Sequence, residues 1–250
     1  MNEEAFFAAV RPYFGGSLTQ PQVDGMKALL LAGANLPLPH MANVLAQVKH
    51  ETGGYMAPIK ETVMPSHKDK NPSDVQVISR LDRAWKAGKL PWVKEPYWRD
   101  GWFGRGQLQV THRRNYAKFG ISNPADMLRM HISAHVAVKG MSEGLFTGKK
   151  LSDYRFPDCL DAPPASHPRR IVNGKDGTDK TISRYHQQFA EALLSARWAP
   201  PKSGPLLPTT PPDVPVTPFP KPAATIPGPR EHWLVSLWKA IIAAITRRGF

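Results

Sequence analysis

The chain has 250 residues, of which 41% are apolar, a formal net charge of +13 and a single cysteine, Cys159. This length holds one large domain, or a domain with an appendage, and the apolar content is sufficient for a packed core. One cysteine excludes a framework of disulfides within the chain.

The positive charge indicates an anionic partner. Nucleic acid is disfavoured as that partner, because the Lys and Arg residues are dispersed and no zinc-finger, helix-turn-helix or RNP pattern is present. Residues 1–4 carry acidic side chains where an export signal carries basic ones, and no long apolar run follows them. We therefore predict no nucleic-acid partner and expect synthesis in a cytoplasm without a Sec-type signal.

Apolar side chains at helical spacing predict two helices near the start of the chain. The first begins at a capping box formed by Thr19 and Gln22 and ends at Gly33. The second begins near Pro39 and ends at two adjacent glycines, which places Glu51 in its last turn.

Two more helices are predicted further along, over about 124–136 and about 178–196. Between them and the first pair, polar and apolar residues alternate over 107–111, which predicts a short extended segment with its three polar side chains on one face. A fold dominated by sheet does not fit this pattern. The predicted class is mainly α.

The composition changes near residue 198, which predicts three parts. Residues 1–198 form the folded domain, and residues 199–229 contain 12 prolines, which predicts an extended linker. Residues 230–250 turn apolar again, but their apolar run is shorter than the roughly 20 residues that span a bilayer. We expect this segment to be an amphipathic helix that contacts a membrane surface. The alternatives are a helix that folds back on the domain and one that drives oligomerisation.

Two segments carry most of the polar chemistry. Residues 50–55 read HETGGY and place a carboxylate and two glycines at the end of a helix, and residues 104–116 read GRGQLQVTHRRNY. Cleavage of a glycosidic bond without a metal needs a carboxylic acid that protonates the leaving oxygen, and usually a second carboxylate that activates water. Glu51 is the candidate acid, because packing against apolar side chains raises the pKa of a carboxyl group.

These two segments, together with residues 144–154 (GLFTGKKLSDY) and 169–174 (RRIVNG), resemble the chitinase-like lysozymes of glycoside hydrolase family 19, particularly the bacteriophage endolysin branch. The likeness covers roughly residues 1–198 and keeps the order of the family's motifs. It implies a two-lobed, lysozyme-like architecture. The chain departs from the plant chitinases of this family, which carry disulfides.

The resemblance implies catalytic roles for three residues. Glu51 falls on the family's catalytic acid, Glu61 lies where the phage members place the general base, and Thr111 matches the residue whose hydroxyl holds the attacking water. Glu95 and Asp100 are alternatives for the base. If the family's mechanism holds, acid and base are well separated and the anomeric configuration inverts.

The resemblance also implies substrate contacts for Gln109, Asn115 and Asn173, and Tyr116 is a candidate for stacking on a sugar ring. Each has a structural alternative: Asn115 bonded to backbone, Asn173 as a turn residue and Tyr116 as core. Thr111 is likewise a candidate cap of the next helix.

Two charged or titratable residues complete the predicted substrate-binding set. Arg105 either pairs with a catalytic carboxylate or orders its own loop. His50 is expected to order the loop that carries the acid.

Metal chemistry has little support in the sequence. The pair at positions 50 and 51 begins like a zinc-binding His-Glu-x-x-His helix, but position 54 is glycine, so the second ligand is missing. His131 and His135 have helical spacing without a clear third ligand. We predict no metal and no cofactor.

The leading prediction is an endolysin that hydrolyses β-1,4 links in peptidoglycan, made in a host cytoplasm and acting in the periplasm and cell wall at lysis. Its partners would be the glycan strands of the cell wall. This wall is anionic, which suits the positive charge of the chain. Chitin is an alternative substrate, and a wall-binding module without catalysis is an alternative class. A lytic transglycosylase, which uses one acid and no water, would leave an anhydro-sugar end.

Overall fold

A computed structural model describes residues 1–64 and 66–200. The predicted terminal helix, residues 230–250, and all but the first two residues of the predicted linker lie outside the described residues. Among the described helices, none combines the length and the apolar character that crossing a bilayer requires.

The described part of the chain is mainly helical, with 54% of its residues in helices, so the predicted fold class is confirmed. Its elements are α1 (Glu3–Val10), α2 (Gln20–Ala32), α3 (Leu38–Glu51), β1 (Ile59–Lys60), α4 (Asp74–Lys86), β2 (Arg105–Gly106), α5 (Arg113–Ala117), α6 (Met130–Glu143) and α7 (Asp179–Ser195). Short 3-10 helices span Arg11–Phe14, Tyr97–Asp100, Pro124–Leu128, Leu151–Asp153, Asp158–Asp161 and Pro168–Ile171.

The first two predicted helices are confirmed as α2 and α3. At the start of α2 the backbone N–H of Thr19 donates to Gln22 Oε1 at 2.8 Å, as the capping box predicts, and Gly33 follows its last residue. Gly25 lies inside α2 where the backbone of the loop after α3 crosses it, and a Cβ at this position would lie 2.3 Å from Met56 O.

The third predicted helix is wrong as an unbroken element. A 3-10 helix, Pro124–Leu128, ends at Arg129, whose extended backbone (φ −75°, ψ 124°) separates it from α6. Asn123 caps the first piece through its side chain, and the two pieces pack against each other. The fourth predicted helix is confirmed as α7.

The main core forms around α3, where every residue from Met41 to Lys49 is buried. α3 packs chiefly against α7, while α2 packs against α6 and α1 against α7. A separate apolar cluster surrounds α4 and includes Val77, Leu81 and Trp98. Between these clusters, β1 and β2 pair antiparallel, with Ile59 opposite Gly106 and Lys60 opposite Arg105.

Candidate functional site

Glu51, in the last turn of α3, is buried and held by a fully buried arginine. Arg169 Nη2 lies 2.6 Å from Glu51 Oε1 and 2.8 Å from Asp176 Oδ2, and both carboxylates are at most 2% exposed. Arg169 Nη1 donates to Gln47 Oε1 at 2.7 Å, so a second residue of α3 fixes the same guanidinium. One cation is therefore shared between two buried carboxylates.

Local sequence explains how Arg169 reaches this position. Pro168 stands at the first position of the 3-10 helix Pro168–Ile171, where its missing N–H costs no hydrogen bond. His167 caps this helix, because its Nδ1 accepts the backbone N–H of Arg169 at 3.0 Å. The helix therefore starts immediately before the arginine and directs its side chain toward α3.

Asp176 is surrounded by hydrogen-bond donors. Its Oδ2 accepts from Asn173 Nδ2 at 2.9 Å and from Arg169 Nε at 3.0 Å, and its Oδ1 accepts from the backbone N–H of Thr178 at 3.1 Å. The Thr178 hydroxyl donates to the same oxygen. The structure thus places Asn173 beside the partner of Glu51, where its amide holds Asp176 and its own Oδ1 accepts the N–H of Gly174 at 2.7 Å.

Glu61, just after β1, is the second buried carboxylate. It is 3% exposed and accepts the N–H of Gly104 at 2.7 Å and the hydroxyl of Tyr97 at 2.9 Å. Burial raises the pKa of Glu61, and these two donors together with the positive charge of Arg105 partly offset that rise. The alternatives for the base, Glu95 and Asp100, are both exposed.

Three polar side chains converge beside Gly104. A Cβ at this glycine would lie 3.1 Å from Gln109 Oε1, 3.2 Å from Thr111 Oγ1 and 3.4 Å from Glu61 Oε2. All three oxygens therefore lie within 3.4 Å of one point. Glu61, Gln109 and Thr111 are brought together by the pairing of β1 with β2 and by the turn that follows β2.

The extended segment predicted over 107–111 is wrong. Residues 107–109 form a turn, closed by the antiparallel bridge between Arg105 and Val110. The turn sends the polar side chains in different directions: Gln107 Nε2 donates to Met56 O at 2.6 Å, and Gln109 Nε2 donates to Ile59 O and Gly106 O at 3.0 and 2.8 Å. Alternation along the sequence misled here because Gln109 has φ +51°.

Unusual backbone conformations flank the converging oxygens. Of the five described non-glycine residues with positive φ, Thr62, Gln109 and His112 are each next to or within this group, with φ of 74°, 51° and 67°. A positive φ is especially costly for a β-branched residue such as Thr62. Backbone strain of this kind concentrates at functional sites.

Two buried oxygens of this group have no hydrogen-bond partner among the described residues, namely Thr62 Oγ1 and Gln109 Oε1. Buried polar atoms are almost always paired in folded proteins. These two atoms add to the polar character of the place where Glu61 and Thr111 lie.

Arg105 and Asn115 make hydrogen bonds that order the segments in which they lie. Arg105 pairs with Asp74, at the start of α4, through Nη2 at 2.7 Å and donates to Gly101 O at 2.7 Å, so it orders its loop and joins it to α4. Asn115 Nδ2 donates to Thr111 O at 2.8 Å. Thr111 Oγ1 donates to Gln109 O at 3.0 Å, and the residue that caps α5 is His112.

Tyr116 and His50 differ in how deeply the structure buries them. Tyr116 is fully buried, its ring packs edge-on against Trp102 at 5.1 Å and its hydroxyl donates to Phe103 O at 2.9 Å. Of the two roles open for this ring, packing is the one that the geometry favours. His50 is half-buried on the last turn of α3.

Tyr97 was not assigned a role from the sequence. Its hydroxyl donates to Glu61 Oε1 at 2.9 Å and its ring lies 4.6 Å from that of His112. Burial and the neighbouring carboxylate raise the pKa of Tyr97 well above its ordinary value, so it stays a donor. Its position 36 residues beyond Glu61 gave no local signal of this contact.

A serine, a histidine and an aspartate also lie together on α7 and its neighbour. His167 Nε2 is 2.8 Å from Ser183 Oγ, and His167 Nδ1 is 3.2 Å from Asp179 Oδ1. Because Nδ1 accepts the N–H of Arg169, Nε2 carries the proton and cannot accept that of Ser183, which donates to Leu160 O. The trio therefore supports the 3-10 helix and does not form a nucleophilic site.

The part of the chain that the structure describes contains no group of three or more His, Cys, Asp or Glu residues that could hold a metal ion. Comparisons of the chain with models of protein families, with curated proteins and with solved structures gave no match.

Proposed function

We propose that this chain is a peptidoglycan hydrolase that cleaves β-1,4 glycosidic bonds with Glu51 as general acid and Glu61 as general base. The observation that carries the proposal is the convergence of Glu61 Oε2, Thr111 Oγ1 and Gln109 Oε1 within 3.4 Å of one point beside Gly104. A carboxylate and a hydroxyl that approach one point suit a water molecule held for attack on a sugar carbon.

Glu51 is the proposed acid because it falls on the family's catalytic glutamate and is buried in the last turn of α3, where Arg169 holds its carboxyl group. Asp176 shares the same guanidinium and accepts several further hydrogen bonds. We assign to Glu51 the proton that the leaving oxygen receives.

The surroundings of Glu61 support the role of general base. The hydrogen bonds from Gly104 and Tyr97 fix the carboxylate, and both donate to its charged form. Its raised pKa makes it a stronger base than an exposed glutamate at the same pH. The resemblance implies water attack from the face opposite the acid, with inversion.

The proposed substrate is the bacterial wall, in keeping with the net charge of +13. We place its action at the wall of the cell that makes it, reached at lysis. Chitin oligomers serve as the comparison substrate.

Two carboxylate variants test this proposal. Glu51→Gln and Glu61→Gln should each lower the clearing of permeabilised cell walls by roughly 10²–10⁴-fold, the range for loss of general acid or base catalysis. Glu4→Gln, at an exposed glutamate of α1, is the control and should keep full activity. Circular dichroism and wall pull-down should be unchanged in all three.

The products distinguish the related reactions. Mass spectrometry of digested walls should show reducing sugar ends with one added water, and no anhydro-sugar. Full clearing by Glu51→Gln would rule out this residue as the acid, and an anhydro-sugar product would replace hydrolysis with transglycosylation.

A further inference from the structure

A groove of about 560 Å³ lies beyond the end of α3. Its walls come from the 3-10 helix Arg11–Phe14, the start of α2, the residues just after α3, and α7. Gly53 and Gly54, two and three residues after Glu51 in the chain, line it.

The chemistry of the groove combines aromatic rings with ammonium groups. Tyr13, Phe14 and Tyr185 line it together with Lys49 and Lys70, and none of its lining residues is acidic. A neutral sugar needs an aromatic face and neutral polar groups, whereas two ammonium groups select for a negative charge.

Lys49 is the more unusual of these two cations. It is only 7% exposed, and its Nζ lies 4.4 Å from the ring centres of both Phe14 and Tyr185. The hydrogen-bond acceptors of Nζ are two neutral oxygens, Tyr13 O at 2.9 Å and Gln188 Oε1 at 3.4 Å. An ammonium has three donors, so one is left over within the described residues.

Burial of Lys49 among neutral groups has an electrostatic cost. Desolvation, together with the positive charge of Arg184, lowers the pKa of Lys49 to about 8. No carboxylate among the described residues forms an ion pair with it. A bound anion would supply the missing negative charge and restore the fully protonated ammonium.

Lys70 also lines the groove. Its Nζ donates to Met64 O at 3.0 Å and stands 5.8 Å from the ring centre of Tyr55. Two lysines and several aromatic rings in one groove match a ligand that has carboxylates along a partly apolar chain.

We propose that this groove binds the carboxylate-bearing stem peptide of peptidoglycan while the glycan strand lies at the two catalytic carboxylates. The inference rests on the proposed function. It makes the enzyme selective for glycan that carries peptides and disfavours bare strands or chitin.

The test compares two substrates cleaved by the full chain: peptidoglycan with its peptides intact, and the same glycan after an amidase has removed them. The intact substrate should have a kcat/KM about tenfold higher, the size of effect that one charge-assisted contact supplies. Lys70→Gln should abolish most of this preference and leave cleavage of the bare glycan unchanged. Lys68→Gln, an exposed lysine on the same loop, is the matched control and should keep the preference.

A binding measurement separates this inference from the proposed function. A synthetic stem tetrapeptide, titrated by NMR into the Glu51→Gln variant, should shift signals of Tyr13 and Tyr185, and a tetrapeptide with amidated carboxylates should not. Equal cleavage of both substrates without peptide binding would overturn the groove's assignment and leave the hydrolase standing. Equal shifts from inorganic phosphate would also overturn it. Peptide binding that Lys70→Gln abolishes, in a chain that cleaves neither substrate, would support the groove and overturn the hydrolase.

Discussion

The helices α2, α3 and α7 bury apolar side chains at helical spacing, whereas residues 52–64 and 101–111, on either side of α4 in the chain, bury several polar side chains on mostly irregular backbone. In the helical part, caps and periodicity agree with the final structure. In the irregular part, Thr62 and Gln109 adopt positive φ and keep buried oxygens without partners among the described residues. The contrast teaches that the helical part follows local sequence rules, whereas the irregular part holds the strained backbone and the buried oxygens on which the proposed function depends.

The largest effect should come from removing the cation that joins α3 to the 3-10 helix Pro168–Ile171. Arg169→Met leaves Glu51 and Asp176 buried without their shared counterion, and should lower the free energy of unfolding by about 3–5 kcal/mol. Urea denaturation measures it, with Arg184→Met at an exposed arginine of α7 as control. A loss no larger than that of the control would mean that this pair does not hold α3 to the 3-10 helix.

A core truncation should act on stability alone. Leu45 in α3 is fully buried, so Leu45→Ala should cost about 2–5 kcal/mol through lost burial and a cavity. The activity per folded molecule should stay near that of the parent chain at low temperature. A large loss of activity in the folded variant would contradict the division between the two parts.

A substitution at the converging oxygens should lower activity and leave stability nearly unchanged. Gly104→Ala places a methyl group where Glu61, Thr111 and Gln109 meet, and the backbone at Gly104 itself needs no positive φ. Displacement of these groups by a few tenths of an ångström should lower wall cleavage by up to about 100-fold. Thermal unfolding should change little, and an unimpaired Gly104→Ala enzyme would remove the observation on which the proposed function depends.

Lowering the pH should reduce the free energy of unfolding of the helical part through His186. Its burial lowers the pKa to about 4 from the ordinary 6.5, so the unfolded chain takes up a proton in this window while the folded chain does not. Stability is therefore present above the ordinary pKa and decreases as the pH falls from about 6.5 toward 4.

The variant His186→Phe tests this dependence, because the ring already stacks on Phe156 at 4.8 Å. The difference in unfolding free energy between variant and parent should grow in favour of the variant as the pH is lowered through that window. Parallel pH profiles of the two proteins would rule out His186 as a source of acid sensitivity.

The smallest effect should come from the cap of α2. Thr19→Ala removes the N-cap side chain, which the capping box pairs with the backbone of Gln22, and should cost about 1 kcal/mol. Ser17→Ala, at an exposed serine two residues earlier, is the control and should be neutral. An effect of Thr19→Ala on wall cleavage beyond its loss of stability would mean that this cap also serves the groove that Thr19 lines.

Sequence patterns predicted the parts of the fold that depend on near neighbours. The capping box of Thr19 and Gln22 joins residues three apart, and the ends of α2, α3 and α7 follow the same local rules. The break at Arg129 was missed, because apolar spacing continues across it and only the backbone angles show the interruption.

Contacts between distant residues could not be predicted in this way. Arg169 reaches Glu51 across more than a hundred residues, and Tyr97 reaches Glu61 across 36. No periodicity or cap signals such a pair, so the two carboxylates were predicted while the groups that set their charge were not. The family resemblance identified the two candidate carboxylates, and the structure shows which side chains contact them.

Gly25 has a consequence for the search for relatives of this chain. Its missing side chain lets the loop after α3 lie directly on α2, with Gln107 Nε2 bonded to both Gly25 O and Met56 O at the crossing. A homologue that keeps the HETGGY segment but has a larger residue here must route that loop differently. A glycine at position 25 therefore marks the relatives that keep this contact between α2 and the loop after α3.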